Sequence, residues 1–227
     1  MTERISISLV HDVEEKEYTD NGLYQAWDLG ISKQVGVNLE GKFIQVENPR
    51  PDKYWKKPLA EVQSRRDYCK KGSRKWCHLN EVKRRIERKK SNQIMDFQHK
   101  CSAKIVNNTR ANIIIIGDLS VKDMAQSEKA TKGINRATQG TGYLGRFAGF
   151  LTYKAEQVGK KVIEISERKT SKTCCVCGKE HDMPIWERIM ECDCGTVLDR
   201  DRNSAINIMV QYLSQKCQVD GLPVLCR

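Results

Sequence analysis

Four cysteines lie as two close pairs in one short segment, Cys174-x-x-Cys177 and Cys192-x-Cys194. Each pair is followed by a glycine, which permits backbone amides to turn in behind metal-bound sulfurs. Four thiolates at this spacing can reach one ion tetrahedrally, and Zn²⁺ is the usual choice. Because four protein ligands leave no open position for a water, we predict a structural zinc site that organises a segment with few apolar residues.

Two other residues in this segment compete as ligands. Cys175 stands next to a better-spaced cysteine, and His181 would displace one sulfur. The chain has ten cysteines, but it shows no basic and apolar secretory leader, and thiols stay reduced in the cytosol. The pattern therefore favours a metal over disulfides.

Acidic residues occur at three places where a predicted strand ends or a helix begins. Asp28 ends a strand, Asp118 follows a run of four isoleucines, and Asp199 and Asp201 stand directly before a helix. Converging carboxylates can hold two Mg²⁺ about 4 Å apart, which activate a water and stabilise the leaving oxygen in phosphodiester cleavage. A single aspartate at a strand end is more often a turn former, so the hypothesis depends on the set.

Positive charge is concentrated in one part of the chain. The net charge is +11, and residues 53–90 hold 15 Lys or Arg against 4 acidic residues. Such a segment suits a polyanion, because neutralised phosphates release condensed counterions. A solvated helix face or a surface for anionic lipid is the alternative. The candidates for phosphate contact are Arg84, Arg85, Arg88, Lys89 and Lys90.

These residues need a mixed α/β framework to position them. Residues 24–48 resemble three short strands with a turn at Glu40-Gly41, and residues 55–108 are helical with a division at Gly72-Ser73. The β-branched run at 112–116 predicts a strand that is buried on both faces. Three further elements are predicted: a helix at 143–158, a strand at 161–166 and a helix at 201–213.

Five segments together resemble TnpB proteins and, more distantly, type V CRISPR effectors. They are WDLGISK, IIIIGDLSVKDM, TSKTCCVCG, CDCG and LDRDRNSAINI, in this order. The resemblance implies an RNase H-like RuvC nuclease, guided by a transposon-derived RNA to matching DNA, with Mg²⁺ or Mn²⁺ as catalytic ion. By this resemblance Asp28 is the first metal ligand and Asp201 the last, with Asp199 as the alternate.

The sequence departs from this family at position 117. The family usually has a glutamate immediately before the Asp-Leu of the isoleucine strand, and this chain has Gly117. Strand side chains alternate between faces, so Asp118 would point away from the metal unless the strand ends early or slips. Asp118 or Asp123 could substitute. The alternatives are a nuclease-dead RNA-guided or nucleic-acid-binding protein and an inactive transposon relic, so enzymatic activity stays open.

The resemblance also implies a domain plan. Residues 1–20 are interpreted as the last strand of a preceding barrel and a linker, and 21–169 as the RuvC-like core with a basic helical hairpin at 55–108. The zinc ribbon follows at 170–197, the last RuvC segment and helix at 198–213, and a tail at 214–227. The N-terminal lobe typical of the family is missing and could be supplied in trans. We expect a cytoplasmic, nucleoid-associated protein without a membrane partner.

Overall fold

The structure, a computed structural model, describes residues 16–118, 143–184 and 186–219. A mixed five-stranded sheet forms its centre. The strands are β1 Tyr24–Leu29, β2 Lys33–Asn38, β3 Phe43–Glu47, β4 Ile113–Asp118 and β5 Lys161–Ser166. Their order is β3-β2-β1-β4-β5, with the first three strands antiparallel and β1, β4 and β5 parallel. The predicted mixed α/β sheet is confirmed.

The turn between β1 and β2 is tight. The Gly30 amide donates to the Lys33 carbonyl at 3.1 Å. A Cβ at Gly30 would lie 2.5 Å from that carbonyl oxygen, so no larger residue fits without movement of the backbone. The turn brings Asp28, near the end of β1, close to Lys33 at the start of β2.

Helices cover both faces of the sheet. They are α1 Pro51–Tyr54, α2 Lys56–Asp67, α3 Arg74–Asn108, α4 Tyr143–Gln157 and α5 Arg200–Val219. The predicted division at Gly72-Ser73 is confirmed, since the Ser73 hydroxyl accepts from the Trp76 amide and caps α3. Helix α5 runs six residues beyond its predicted end at Leu213, because no glycine or proline interrupts it before Gly221.

Side chains along β4 alternate between two hydrophobic clusters. Ile113 and Ile115 pack with Ala205 and Ile208 of α5. Ile114 and Ile116 pack on the other face, against residues of α3 and α4 that include Ile105 and Phe147. The four-isoleucine run is therefore buried on both faces, as its composition predicts.

A small module separates β5 from α5. It contains two short antiparallel strands, β6 Ile189–Glu191 and β7 Val197–Asp199, and β7 leads directly into α5. We call residues 170–199 the cysteine module, which extends the predicted ribbon 170–197 to the end of β7.

Several predictions lie outside the described residues. These are the strand Ile5–Val10, the polar segment 122–142 with Asp123, and residues 220–227 of the tail. Among the described residues, no helix is long and apolar enough to cross a membrane.

Candidate functional site

The four paired cysteines converge on one point. Their sulfur atoms all lie within 4.8 Å of one another. The Cys174 and Cys194 sulfurs are 3.7 Å apart, and those of Cys177 and Cys192 are 3.4 Å apart. Four sulfurs about 2.3 Å from a tetrahedral zinc ion lie about 3.8 Å apart, so the cluster fits such an ion.

A glycine turn follows each cysteine pair, and the backbone around Cys174 favours its thiolate. Gly178 and Gly195 adopt φ of 76° and 88°, and their amides donate to the carbonyls of Cys174 and Cys192. Burial would raise the pKa of the Cys174 thiol, but the amides of Cys177 and Val176 lower it to about 6. Neither Cys175 nor His181 belongs to the cluster.

Asparagine side chains tie the cysteine module to helix α5. The buried Asn203 amide donates to the carbonyls of Thr170 and Thr173, and its oxygen accepts from the Cys175 amide at 2.9 Å. Asn207 donates to the same two carbonyls at 2.7 Å. The first turns of α5 are therefore fixed to the module. The sequence did not predict these hydrogen bonds.

Asp28 and Asp201 meet on the face of the sheet that α5 covers. Asp28 lies on the same face of β1 as Tyr24 and Ala26, which pack against α5. Burial raises the pKa of Asp28 well above its usual value, the nearby charges of Glu167 and Asp201 raise it further, and the charges of Arg200 and Lys33 lower it. Burial and the two carboxylates thus outweigh the positive charges of Arg200 and Lys33 at Asp28.

Asp199 has a different environment from Asp201. Its Oδ1 accepts from the amides of Asp201 and Arg202 and so caps α5. The Lys33 ammonium lies 2.8 Å from an oxygen of Asp199 and 3.1 Å from one of Asp201. Burial opposes ionisation of Asp199, but the Lys33 hydrogen bond lowers its pKa. A cation thus already neutralises this end of the cluster, which sequence analysis missed.

Asp118 is not brought to Asp28. Strand β4 keeps its register to the end, with Asp118 opposite Ser166 of β5. Alternation places the Asp118 side chain on the α4 face, where it lines a cavity of about 520 Å³ with Ala148 and Thr152. Gly117, one residue before Asp118, lies on the Asp28 face, as Ile113 and Ile115 do.

Glu167, directly after β5, is an acid that sequence analysis did not select. Burial raises its pKa to about 7, with a further contribution from the charge of Asp118. Its Oε1 is buried and has no hydrogen-bond partner among the described residues. A usable sequence signal was its position at the end of a strand parallel to β4, where catalytic side chains commonly collect.

Glu167 is expected to lower the stability of the metal-free protein as pH rises from about 4.5 towards 7. A carboxyl whose folded-state pKa is raised binds more protons in the native state, so its contribution is complete below the unfolded pKa and disappears above the folded one. The shift of Glu167 from 4.5 to about 7 limits the loss to ~3 kcal/mol. Asp28 contributes with the same sign.

Chemical denaturation of wild type and Glu167→Gln without added divalent cations measures this effect. The variant should become progressively more stable than wild type between about pH 4.5 and 7, and the difference should level off above pH 7. Comparing the two proteins cancels any pH dependence of the cysteine cluster. A constant difference between about pH 4.5 and 7 would contradict the prediction.

The basic candidates lie along α3. Arg84, Arg85, Arg88 and Lys89 are exposed and Lys90 is half-buried. Arg85 pairs with Glu81 within the helix, and such exposed pairs contribute little to stability. These side chains are available for phosphate contact.

Reversing three of these charges tests the basic helix. The Arg84→Glu, Arg85→Glu, Arg88→Glu variant is expected to bind nucleic acid more weakly. The slope of its log affinity against log salt concentration should be shallower by about one for each phosphate that is no longer neutralised. Fluorescence anisotropy across a salt series measures both quantities. The matched triple Arg→Lys variant keeps the charge and should retain the slope. Equal slopes for wild type and the Glu variant would exclude phosphate contact at these positions.

Comparison with known proteins adds to these observations. A model of the OrfB_IS605 family, described as "Probable transposase", matches residues 8–128, more than half of the chain. A second model, "Cas12f1-like, TNB domain", matches residues 145–208, which include the cysteine module and the first turns of α5.

Two curated relatives are similar to large parts of the chain. A "Putative RNA-guided DNA endonuclease" of Streptomyces pristinaespiralis is 27% identical over 86% of this chain and 46% of its own length. "TnpB-like protein L79" of Acanthamoeba polyphaga mimivirus is 34% identical over 58% of this chain and 25% of its own length. The chain thus spans less than half the length of these relatives.

A solved structure shares the fold. The Cas12f1 chain in a complex with sgRNA and target DNA superposes with a TM-score of 0.61 at 16% identity, covering 85% of this chain and 51% of that chain. At this identity the similarity establishes the mixed α/β fold alone.

Proposed function

We propose that this chain, which belongs to the OrfB_IS605 family of probable transposases, is the nuclease part of an RNA-guided DNA endonuclease of the TnpB type. The observation that carries the proposal is the meeting of Asp28 and Asp201 on one face of a mixed sheet, beside a four-cysteine module. In this proposal the sheet is an RNase H-like RuvC core. The reaction at its carboxylates is hydrolysis of a phosphodiester bond of DNA.

Each part of the site has a role in this proposal. Asp28 and Asp201 hold the catalytic divalent cation, Mg²⁺ or Mn²⁺. That cation supplies Lewis-acid stabilisation of developing charge and lowers the pKa of the attacking water. Asp28 contributes a ligand from a central strand, where backbone pairing on both sides fixes its position. Lys33 holds Asp199 and Asp201 together at the start of α5.

The cysteine module takes the role of a structural zinc ribbon. Its four sulfurs fit one Zn²⁺, and Asn203 and Asn207 transmit its position to the helix that carries Asp201. The basic helices α2 and α3 take the role of a phosphate-binding surface for guide RNA and target DNA. The domain boundaries then follow the plan drawn from the sequence, with α5 lengthened to Val219.

Recovery of bound RNA tests this function. The tagged 227-residue chain is purified from its own cells, and the RNA that accompanies it is sequenced. A discrete RNA from the neighbouring transposon end, together with Mg²⁺-dependent cutting of DNA that matches it, is expected. Matching RNA without cutting would indicate a nuclease-dead guided binder. Background RNA alone would contradict guided activity by this chain without a partner lobe.

A further inference from the structure

We propose that Glu167 supplies the third carboxylate of the metal site, delivered from the end of β5 into the space that a side chain at position 117 would fill. This inference rests on the proposed nuclease function. In the TnpB proteins that the sequence resembles, the acid stands on the isoleucine strand, at the position of Gly117 in β4. Glu167 instead follows β5.

The space beside Gly117 carries the first argument. A Cβ built on Gly117 would overlap the Oε1, Cγ and Cδ atoms of Glu167. The Glu167 carboxyl therefore occupies the volume into which a residue at 117 would extend. With Glu167 in this position, even alanine at 117 would force the side chain out, so glycine at 117 and glutamate at 167 are sterically coupled.

Strand register brings Glu167 to the correct face. Gly117 lies opposite Ile165 in the parallel β4–β5 pair. Ile165 packs in the cluster that α5 covers, and Glu167, two residues further on, returns to the same face. Extending the β1–β4 register by one residue beyond Trp27 and Ile116 places Asp28 beside Gly117. Position 117 thus has Asp28 on one side and the end of β5 on the other.

The turn after β5 holds Glu167 in place. The Glu167 carbonyl accepts from both the amide and the hydroxyl of Thr170. The Thr170 carbonyl in turn accepts from Asn203 and Asn207 of α5. Glu167 and Asp201 are therefore fixed to one another through Thr170 and this helix, which is the preorganisation that a metal site requires.

The burial and the charges around Glu167 favour binding of a cation at its carboxyl group. Its buried Oε1 has no hydrogen-bond partner among the described residues, and its charge acts on the neighbouring Asp28. A buried carboxylate in this condition is costly unless it is neutralised. Lys33 neutralises Asp199 and Asp201 on the other side of the cluster, and among the described residues no cationic group contributes to the pKa of Glu167. A divalent cation between Glu167 and Asp28 would satisfy both carboxylates.

Four variants of the full chain test the assignment, with Mn²⁺ as the probe. They are Glu167→Gln, Gly117→Glu, the exchange variant that combines Glu167→Gly with Gly117→Glu, and the control Glu164→Gln on the opposite face of β5. Calorimetric titration with Mn²⁺ measures binding independently of cleavage. The shift of the unfolding temperature with added Mn²⁺ is a second measure of binding. Cleavage of guide-matched DNA is measured in parallel.

Glu167→Gln is expected to weaken Mn²⁺ binding by about tenfold or more and to remove cleavage, while the metal-free protein stays folded. Gly117→Glu alone should destabilise the protein because two side chains compete for one space. The exchange variant restores one carboxylate to that space and should recover Mn²⁺ binding in part. Glu164→Gln should match the wild type, since its side chain lies on the α4 side.

The outcomes separate the two proposals. Mn²⁺ affinity and cleavage in Glu167→Gln equal to wild type would overturn the role of Glu167 and leave the nuclease proposal intact. A wild type that binds Mn²⁺ without cutting would refute the nuclease proposal, while loss of Mn²⁺ binding in Glu167→Gln would still support the ligand. A wild type without Mn²⁺ binding would overturn both.

Discussion

Asp28→Asn is expected to lower divalent-cation-dependent DNA cleavage on the order of 10³-fold or more, the usual effect of removing a group from a catalytic set that acts as a unit. The amide keeps the size of the side chain but cannot contribute a negative ligand to the metal. Cleavage of guide-matched DNA in Mg²⁺ or Mn²⁺ measures the change. Asp182→Asn is the matched control, because the Asp182 side chain is fully exposed outside the carboxylate cluster.

A stability measurement distinguishes this loss from misfolding. In the metal-free protein, burial and the charges of Glu167 and Asp201 disfavour ionised Asp28. Asp28→Asn should therefore leave the metal-free protein as stable as wild type or more stable at neutral pH, although its activity is lost. A lowered melting temperature together with lost cleavage would instead assign Asp28 a structural role. Residual cleavage at the wild-type rate would exclude Asp28 from the site.

Elements with strong local signals could be predicted from the sequence. The isoleucine run, the division at Gly72-Ser73 and the paired cysteines each depend on residues close in the chain, and all three agree with the structure. The mixed α/β class followed from the order of the predicted strands and helices, and the structure confirms it. Asp28 at the end of its strand and Asp201 at the start of α5 were likewise local inferences, and the structure brings these two side chains together.

The rest of the site depends on register and therefore could not be predicted locally. Glu167 reaches position 117 only because β5 pairs with β4 in one particular register. Lys33 reaches Asp199, 166 residues away in sequence, because the Gly30 turn and the start of α5 converge. A one-residue slip of a strand would turn its side chains to the other face, so such juxtapositions require the assembled sheet.

Removal of zinc is expected to disable the carboxylate site from a distance. Cys177→Ser should release the metal, because three thiolates and a hydroxyl hold Zn²⁺ far less well than four thiolates. Among its described residues the module has few buried apolar side chains, such as Met183 and Met190, so its fold should be lost with the metal. Cys175→Ser is the matched control: it is a neighbouring cysteine of the same module, and its sulfur lies outside the cluster.

The effect should extend to α5 along identified hydrogen bonds. Asn203 and Asn207 depend on the carbonyls of Thr170 and Thr173, which the folded module holds in place. Loss of zinc should therefore increase hydrogen exchange in the first turns of α5 and lower cleavage, although no carboxylate has changed. One zinc per chain in wild type and Cys175→Ser, and none in Cys177→Ser, is expected from elemental analysis. If Cys177→Ser lost zinc but kept both α5 protection and cleavage, the module would be a separate unit, and Asp201 would be positioned by the sheet alone.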